Sequence, residues 1–305
     1  MPQFDEATDI RLADALRSFK TIFLEYERQR AIQSRINVLL ISCIGIRDVP
    51  LDGRRLSEVS QAGKSKMLTV FRDRINQSPM ADGSVPNPHR VLYFELKGSQ
   101  TLKMLCVMIL QKLGDPHWNE GNGDDVQERV RVFLRQRGVQ LLIIDEVQHL
   151  AGDSQNKMDI TDELKLFLDA GIVPVVFAGN EKSKKFFERN EQLCARLGRP
   201  LELTPLSGGL AHDRVLFKTF CRDLDAAMVA KSITRASSNL SEKVALKGLL
   251  AASRGRVGRV VRIVEVAMEH AVSRDADYIE MYDLSHAIET FAMPQRYVAK
   301  NPFTP

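Results

Sequence analysis

Apolar residues recur along this chain with two different periods, and the switch between them maps the architecture. Over residues 9–32, Leu12, Leu16, Phe19, Phe23 and Tyr26 fall at helical spacing, which predicts one long amphipathic helix. A stretch punctuated by Gly45, Pro50 and Gly53 follows, before a short polar segment, residues 54–59, expected to be a first strand. After Ser65 the positions Met67, Leu68, Val70, Phe71 and Ile75 mark one face of a helix. Residues 91–94, 139–144, 173–178 and 201–203 are apolar runs of strand length. Helical patterns at 102–113, 126–136 and 161–170, the last with Gly171 as its stop, separate them. Such alternation predicts an α/β fold, a five-stranded parallel sheet flanked by helices. Beyond Pro205 only helical patterns remain, near 211–228, 241–252, 258–272 and 281–292, then a Pro-containing tail expected to be mobile.

Composition narrows the class. The 305 residues are 44% hydrophobic and 27% charged, enough for one sizeable core or two modest ones and too apolar for general disorder. Cys43, Cys106, Cys194 and Cys221 lie far apart, without zinc-ligand or redox spacing, and read as small apolar residues in a reducing compartment. The start lacks a basic and then apolar leader, and the longest early apolar run, residues 38–46, is too short for a bilayer. A cytoplasmic address and no membrane partner are therefore expected. The net charge of +4 permits nucleic-acid binding without requiring it. Basic residues gather at 28–35, 182–185 and 254–262, as phosphate-facing surfaces or as solvated helix faces.

Two segments carry candidate chemistry. Gln61-Ala62-Gly63-Lys64-Ser65 has the ending of a phosphate loop, in which backbone amides wrap the anion, the lysine bridges the terminal phosphates of ATP and the hydroxyl ligates Mg2+. Glu58 stands where that pattern has its first glycine, and a carboxylate beside phosphates repels them unless it turns away. Nucleotide affinity and hydrolysis are both in question for that reason. The second segment, Leu141-Leu142-Ile143-Ile144-Asp145-Glu146, ends an aliphatic strand in two carboxylates, which a cation at Asp145 and a water polarised by Glu146 would explain. A strand that simply ends in solvent at an Asp-Glu turn is the plainer account. Asn180, ending Phe177-Ala178-Gly179-Asn180, is either a γ-phosphate sensor or a turn-forming residue. Arg196 and Arg199 are either charge-stabilising fingers for a neighbouring subunit or surface arginines.

Together these residues resemble the AAA+ ATPases, and within them the transposition regulators of the TniB and TnsC type, over roughly residues 10–290. The likeness lies in the leading helix, the 61–65 loop, Leu-Leu-Ile-Ile-Asp-Glu-Val-Gln-His-Leu at 141–150, Val-Val-Phe-Ala-Gly-Asn at 175–180 and the arginine-rich helix start at 255–262. It implies Walker A roles for Lys64 and Ser65, Walker B roles for Asp145 and Glu146, a first sensor at Asn180, a finger at Arg196 or Arg199, and a second sensor at Arg256 or Arg259. It also implies a division into a leading helix and connector (1–50), a nucleotide-binding domain (51–206), a small helical lid (207–292) and a flexible tail (293–305). Relatives of this type form rings or filaments on double-stranded DNA with ATP, recruit a DDE-type transposase and work with a target selector. Lys97 and Lys103, flanking Gly98-Ser99-Gln100-Thr101, are where the resemblance puts DNA contact; a helix capped by Ser99 or Thr101 with solvated lysines is the alternative. Three rival readings stay open: another AAA+ loader or switch ATPase, a small-molecule P-loop kinase, and a P-loop scaffold that has lost hydrolysis.

Overall fold

Four short parallel strands, each continuing a run of the predicted kind, organise the larger part of the molecule. The computed structural model describes residues 6–46, 49–80, 83–150 and 160–304. Met1 to Asp5 and Pro305, included in the expected leading segment and tail, lie outside them. The strands are β1 (Gly53–Ser57), β2 (Val91–Glu95), β3 (Leu141–Asp145) and β4 (Val175–Gly179), in the order β1-β4-β3-β2. The two central strands, β3 and β4, are buried at every position, so they read as unbroken apolar runs. Edge strand β1 is less enclosed, burying Gly53 and Leu56 and leaving Arg54, Arg55 and Ser57 half-buried, which explains its polar sequence. Gly53 is forced: a Cβ there would lie 3.0 Å from the Val175 carbonyl oxygen.

The expected fifth strand does not form. Residues 201–203 run beside β1 but share one backbone bond with it, from Leu201 N to Arg55 O at 2.8 Å. Leu203 N instead donates to the Glu58 carboxylate at 3.0 Å, and Pro200 and Pro205 have no N–H to give. The ladder is starved of donors, and the sheet stops at four strands.

The chain divides into two compact units. One, Arg28–Ser60 with Lys64–Leu203, holds the sheet with α2 (Glu27–Ser42), α3 (Lys64–Gln77), α4 (Leu102–Leu113), α5 (Gly123–Gln136), α6 (Ile160–Asp169), α7 (Glu181–Glu188) and α8 (Glu191–Leu197). Its core joins Leu92, Phe94, Leu142, Ile144 and Phe177 of the sheet to Leu105, Ile109, Val130, Leu164 and Phe187 of the helices. Burying each such side chain contributes about 2 kcal/mol. Local signals set the helix ends: Thr101 caps α4 and Gly114 closes it at φ 80°, while Asn122 and Asp125 form a capping box on α5. Helices α7 and α8 were not foreseen; at eight and seven residues, started by Asn180 and Asn190, they are too short for periodicity to reveal.

The other unit, Met1–Glu27, Gln61–Gly63 and Thr204–Pro305, is helical. It contains α1 (Glu6–Lys20), α9 (Ala211–Ala230), α10 (Lys243–Ser253), α11 (Val257–Ser273) and α12 (Met281–Ala287), the last running into a π-helical turn, Ile288–Ala292. The predicted single helix over 9–32 is two helices in different units. α1 stops where Thr21 turns both its N–H and its hydroxyl onto Ser18 O, in a run of β-branched and aromatic residues with low helix propensity. Tyr26 beyond the break is buried edge-on against Phe220 at 6.3 Å. In α12 the buried Asp283 carboxylate binds Arg274 Nε at 2.9 Å, His270 Nδ1 at 2.6 Å and the Glu280 amide at 2.8 Å. Residues 294–304, expected to be mobile, are packed: Tyr297 is 4% exposed, and Asn301 Nδ2 donates to Ser285 Oγ and Glu289 Oε1, both at 2.8 Å. No described helix is long and apolar enough to cross a membrane.

Candidate functional site

In the sheet-bearing unit, the ends of β1, β3 and β4 bring the sequence candidates together. Pairing of Ser57 with Gly179 sets the exits of β1 and β4 side by side, and Glu58 N extends the pairing to Gly179 O at 3.2 Å. Lys64, the first residue of α3, is 5% exposed and folds its ammonium back onto Glu58 O at 2.8 Å and Val59 O at 3.1 Å. Burial lowers its pKa, and the charges of Asp145, Glu146 and Glu58 oppose that shift. Eighty positions along the chain from Ser65, Asp145 arrives at the end of β3 fully buried, and the Ser65 hydroxyl donates to its Oδ2 at 2.6 Å.

Two more donors complete that carboxylate: Tyr93 OH to Oδ2 at 2.8 Å and Glu146 N to Oδ1 at 2.8 Å. All three are neutral, so among the described residues this buried carboxylate sits beside a hydroxyl with no cation among its hydrogen-bond partners. A carboxylate and a hydroxyl are the hard oxygen donors that Mg2+ takes, and the donor set fits that ion. The phenol of Tyr93 is pushed above its ordinary pKa by burial and by Asp145, so it remains a donor. Tyr93 was not singled out in the sequence because nothing local marks a strand tyrosine; only the pairing of β2 with β3 puts it there.

Glu146 adopts φ 57°, a left-handed conformation costly for a residue with a Cβ, by about 1–2 kcal/mol. Its carboxylate accepts from Gln148 Nε2, whose own Oε1 accepts from Asn180 N at 3.2 Å. Gly179 makes room for this link, since a Cβ there would fall 2.7 Å from Gln148 Oε1. Asn180 commits its side-chain oxygen to the amide of Lys182 at 2.9 Å as the cap of α7. Both readings of Asn180 are thus compatible: it ends a turn, and only its NH2 side remains to face a phosphate. Gln148 was a further miss, although it lies two residues from Glu146 in the same sequence string.

Glu58 is engaged by the segment after α8. Its Oε1 accepts the Leu203 N–H, and burial raises its pKa above the usual glutamate value. Arg196, on α8, pairs with Asp169 of α6 at 2.7 Å, whereas Arg199 is exposed and forms no ion pair among the described residues. At the proposed DNA contact, Thr101 caps α4 by accepting from Met104 N at 3.3 Å, Lys103 Nζ donates to Gly121 O at 3.2 Å, and Lys97 is exposed. The capping alternative therefore holds at Thr101, with both lysines at the surface.

In the helical unit, Gln61 stands at φ 65° and Gly63 at φ 90°, and Ala62 is buried. Gln61 O accepts from Gly258 N, in the first turn of α11, at 3.0 Å; a Cβ on Gly258 would be 2.5 Å from that oxygen. Arg259 Nε donates to Gln61 Oε1 at 2.9 Å, and its guanidinium lies over the Tyr297 ring at 4.2 Å. Gln61 Nε2 donates to Tyr297 OH. Among the described residues the buried Nη1 of Arg259 has no hydrogen-bond partner. Burial and then the like charges of Arg256 and Arg254 lower the pKa of Arg259. Arg256 occupies the cap position of α11 without capping it by its side chain.

Comparison with known proteins bears on the family and the fold. A family model described as bacterial TniB protein matches residues 20–205, more than half of the chain. Among solved structures, the chain is similar to the Aeropyrum pernix ORC1 protein in complex with DNA (TM-score 0.61, 18% identity, covering 87% of this chain and 65% of that one). It is also similar to the ADP form of the Aeropyrum pernix ORC2 protein (0.62, 14%, 90% and 72%) and to Cdc6p from Pyrobaculum aerophilum (0.59, 14%, 90% and 70%). The chain thus spans a little under two thirds of the ORC1 chain. At these identities the likeness establishes the fold, a parallel-sheet P-loop fold of the AAA+ type. Comparison with curated proteins gives no match.

Proposed function

The chain belongs to the TniB family, and from that premise we propose that it is an ATP-dependent DNA-binding regulator of transposition. In this reading it oligomerises on duplex DNA and recruits or activates a DDE-type transposase at the target site, with or without a target selector. The observation that carries the nucleotide chemistry is the bond from Ser65 Oγ to Asp145 Oδ2, at 2.6 Å across 80 residues of sequence. An isolated Gly-Lys-Ser would have no reason to meet a buried aspartate at a strand end.

Each residue then has a role. Lys64 leaves the carbonyls of Glu58 and Val59 for the β- and γ-phosphates, and Gln61, Ala62 and Gly63 offer backbone amides. Ser65 and Asp145 would hold Mg2+, which neutralises phosphate charge when bound. Glu146 orients the attacking water once Gln148 releases its carboxylate; Asn180 offers its amide to the γ-phosphate. Of the paired candidates, Arg259 is the better second sensor than Arg256, because its Nε bond to Gln61 ties it to the phosphate-loop residue and the Tyr297 ring fixes its orientation. Arg199 is the better trans finger, since Arg196 is engaged with Asp169. The solved relatives include an ORC1 protein in complex with DNA and an ORC2 protein with ADP, which support a DNA-associated nucleotide cycle by analogy. Lys97 and Lys103 are the DNA-phosphate candidates.

The test is sizing with and without ATP and duplex DNA. The wild-type chain is expected to form a large ATP-dependent species on DNA, and Lys64→Ala to lose it along with at least about a hundredfold in nucleotide affinity. ATP-dependent assembly by Lys64→Ala would overturn the site.

A further inference from the structure

The tail residue Tyr297 has no role in the function as read so far, yet two contacts tie it to the start of α11 and to the phosphate-loop residue Gln61, and a third joins those two. Its ring lies under the Arg259 guanidinium at 4.2 Å, its hydroxyl accepts from Gln61 Nε2, and Gln61 Oε1 accepts from Arg259 Nε at 2.9 Å. These contacts form a closed ring, each member holding the other two. A guanidinium stacked on an aromatic face and fixed through Nε keeps one orientation, with its outer nitrogens directed elsewhere. Here the buried Nη1 has no acceptor among the described residues, a costly state for a charged donor unless an acceptor arrives.

Tyr297 is itself held firmly. It packs edge-on against Phe291 at 5.5 Å, its N–H bonds Ala292 O at 2.9 Å beyond the π-helical turn, and the tail that follows is pinned by Asn301 to Ser285 and Glu289. Phe303 lies against Gly248 of α10, where a Cβ would come within 2.2 Å of its ring. A buried tyrosine filling a hole would need none of the polar ring closure. The partners that Arg259 does have are neutral, so they orient the charge without cancelling it.

We propose that Tyr297 is a positioning residue for Arg259, and that the C-terminal segment, 294–304, thereby sets how strongly the protein distinguishes a nucleoside triphosphate from a diphosphate. The inference rests on the nucleotide reading above: the missing acceptor of Nη1 is the terminal phosphate oxygen of ATP. In this role Tyr297 acts through Arg259 and Gln61.

The experiment uses the full chain and fluorescent ATP and ADP analogues with Mg2+, comparing wild type, Tyr297→Leu, Tyr297→Phe, Arg259→Ala and the Tyr297→Leu/Arg259→Ala double variant, with thermal unfolding to confirm folding. Tyr297→Leu is expected to cut the ATP-over-ADP preference roughly tenfold, as Arg259→Ala does, and the double variant to lose no more than Arg259→Ala alone. Tyr297→Phe keeps the stacked ring and the packing, so it should lose only two- to threefold, about the effect of one neutral hydrogen bond. An unchanged preference in Tyr297→Leu, or losses that multiply in the double variant, would overturn the assignment. Failure of the underlying reading looks different: wild type and Lys64→Ala would then bind the ATP analogue equally, or neither would bind it.

Discussion

The two units handle charge in opposite ways. In the sheet-bearing unit the three charged groups at the strand ends are answered from within: Lys64 by two carbonyls, Asp145 by two hydroxyls and an amide, Glu146 by Gln148. In the helical unit Arg254, Arg256 and Arg259 gather at the start of α11, and Arg259 is met by an amide and a phenol that leave its charge standing. A ligand reaching the first set must displace existing bonds, which makes binding there an exchange with a small net gain. A ligand reaching the second satisfies a donor that has nothing to lose. The difference teaches that partnered groups are suited to switching, whereas underpartnered ones are suited to sensing an anion.

The sharpest way to break the comparison is at the acid that must be released. Glu146→Gln is expected to keep ATP binding and to lower turnover by about a hundred- to a thousandfold, since a general base is removed while the Gln148 contact can persist. Single-turnover measurement with bound ATP separates the two effects. Equal turnover in the variant would leave a binding switch without hydrolysis by Glu146.

A structural perturbation of the arginine side comes next. Gly258→Ala adds a Cβ 2.5 Å from Gln61 O, so although alanine favours a helix by about 1 kcal/mol, the clash with a backbone carbonyl should dominate and cost about 2 kcal/mol net. Chemical denaturation should show the loss, and the nucleotide preference should fall with it. A more stable variant would mean that the close approach of α11 to Gln61 is not a constraint.

The smallest expected effect concerns Glu58, whose folded pKa is raised by burial. A raised carboxylate pKa gives a stability contribution that is full below the unfolded value near 4.5 and is lost as pH rises through the folded value. Glu58→Gln, which retains an oxygen for the Leu203 N–H, should therefore gain stability over wild type at neutral pH, with the advantage fading as pH falls toward 4.5. Melting temperatures across that window test the sign. A constant difference would assign the effect to packing and leave the charge comparison intact.

Much of this protein is legible in its residues one segment at a time. The apolar runs of β3 and β4, the helix patterns after Pro205, the stop at Gly171 and the meeting of Ser65 with Asp145 all follow from local periodicity and residue chemistry. What periodicity left open was settled by contacts between distant residues. Where the chain goes after the leading helix breaks is fixed by Tyr26 packing on Phe220, and the fifth strand fails because Glu58 takes the Leu203 amide. Tyr93, Gln148 and Tyr297 become site residues only through partners 52, 32 and 236 positions away. A sequence pattern records which face of an element is apolar. Which polar group meets which depends on strand register and on the path of the tail, and those are properties of the folded chain alone.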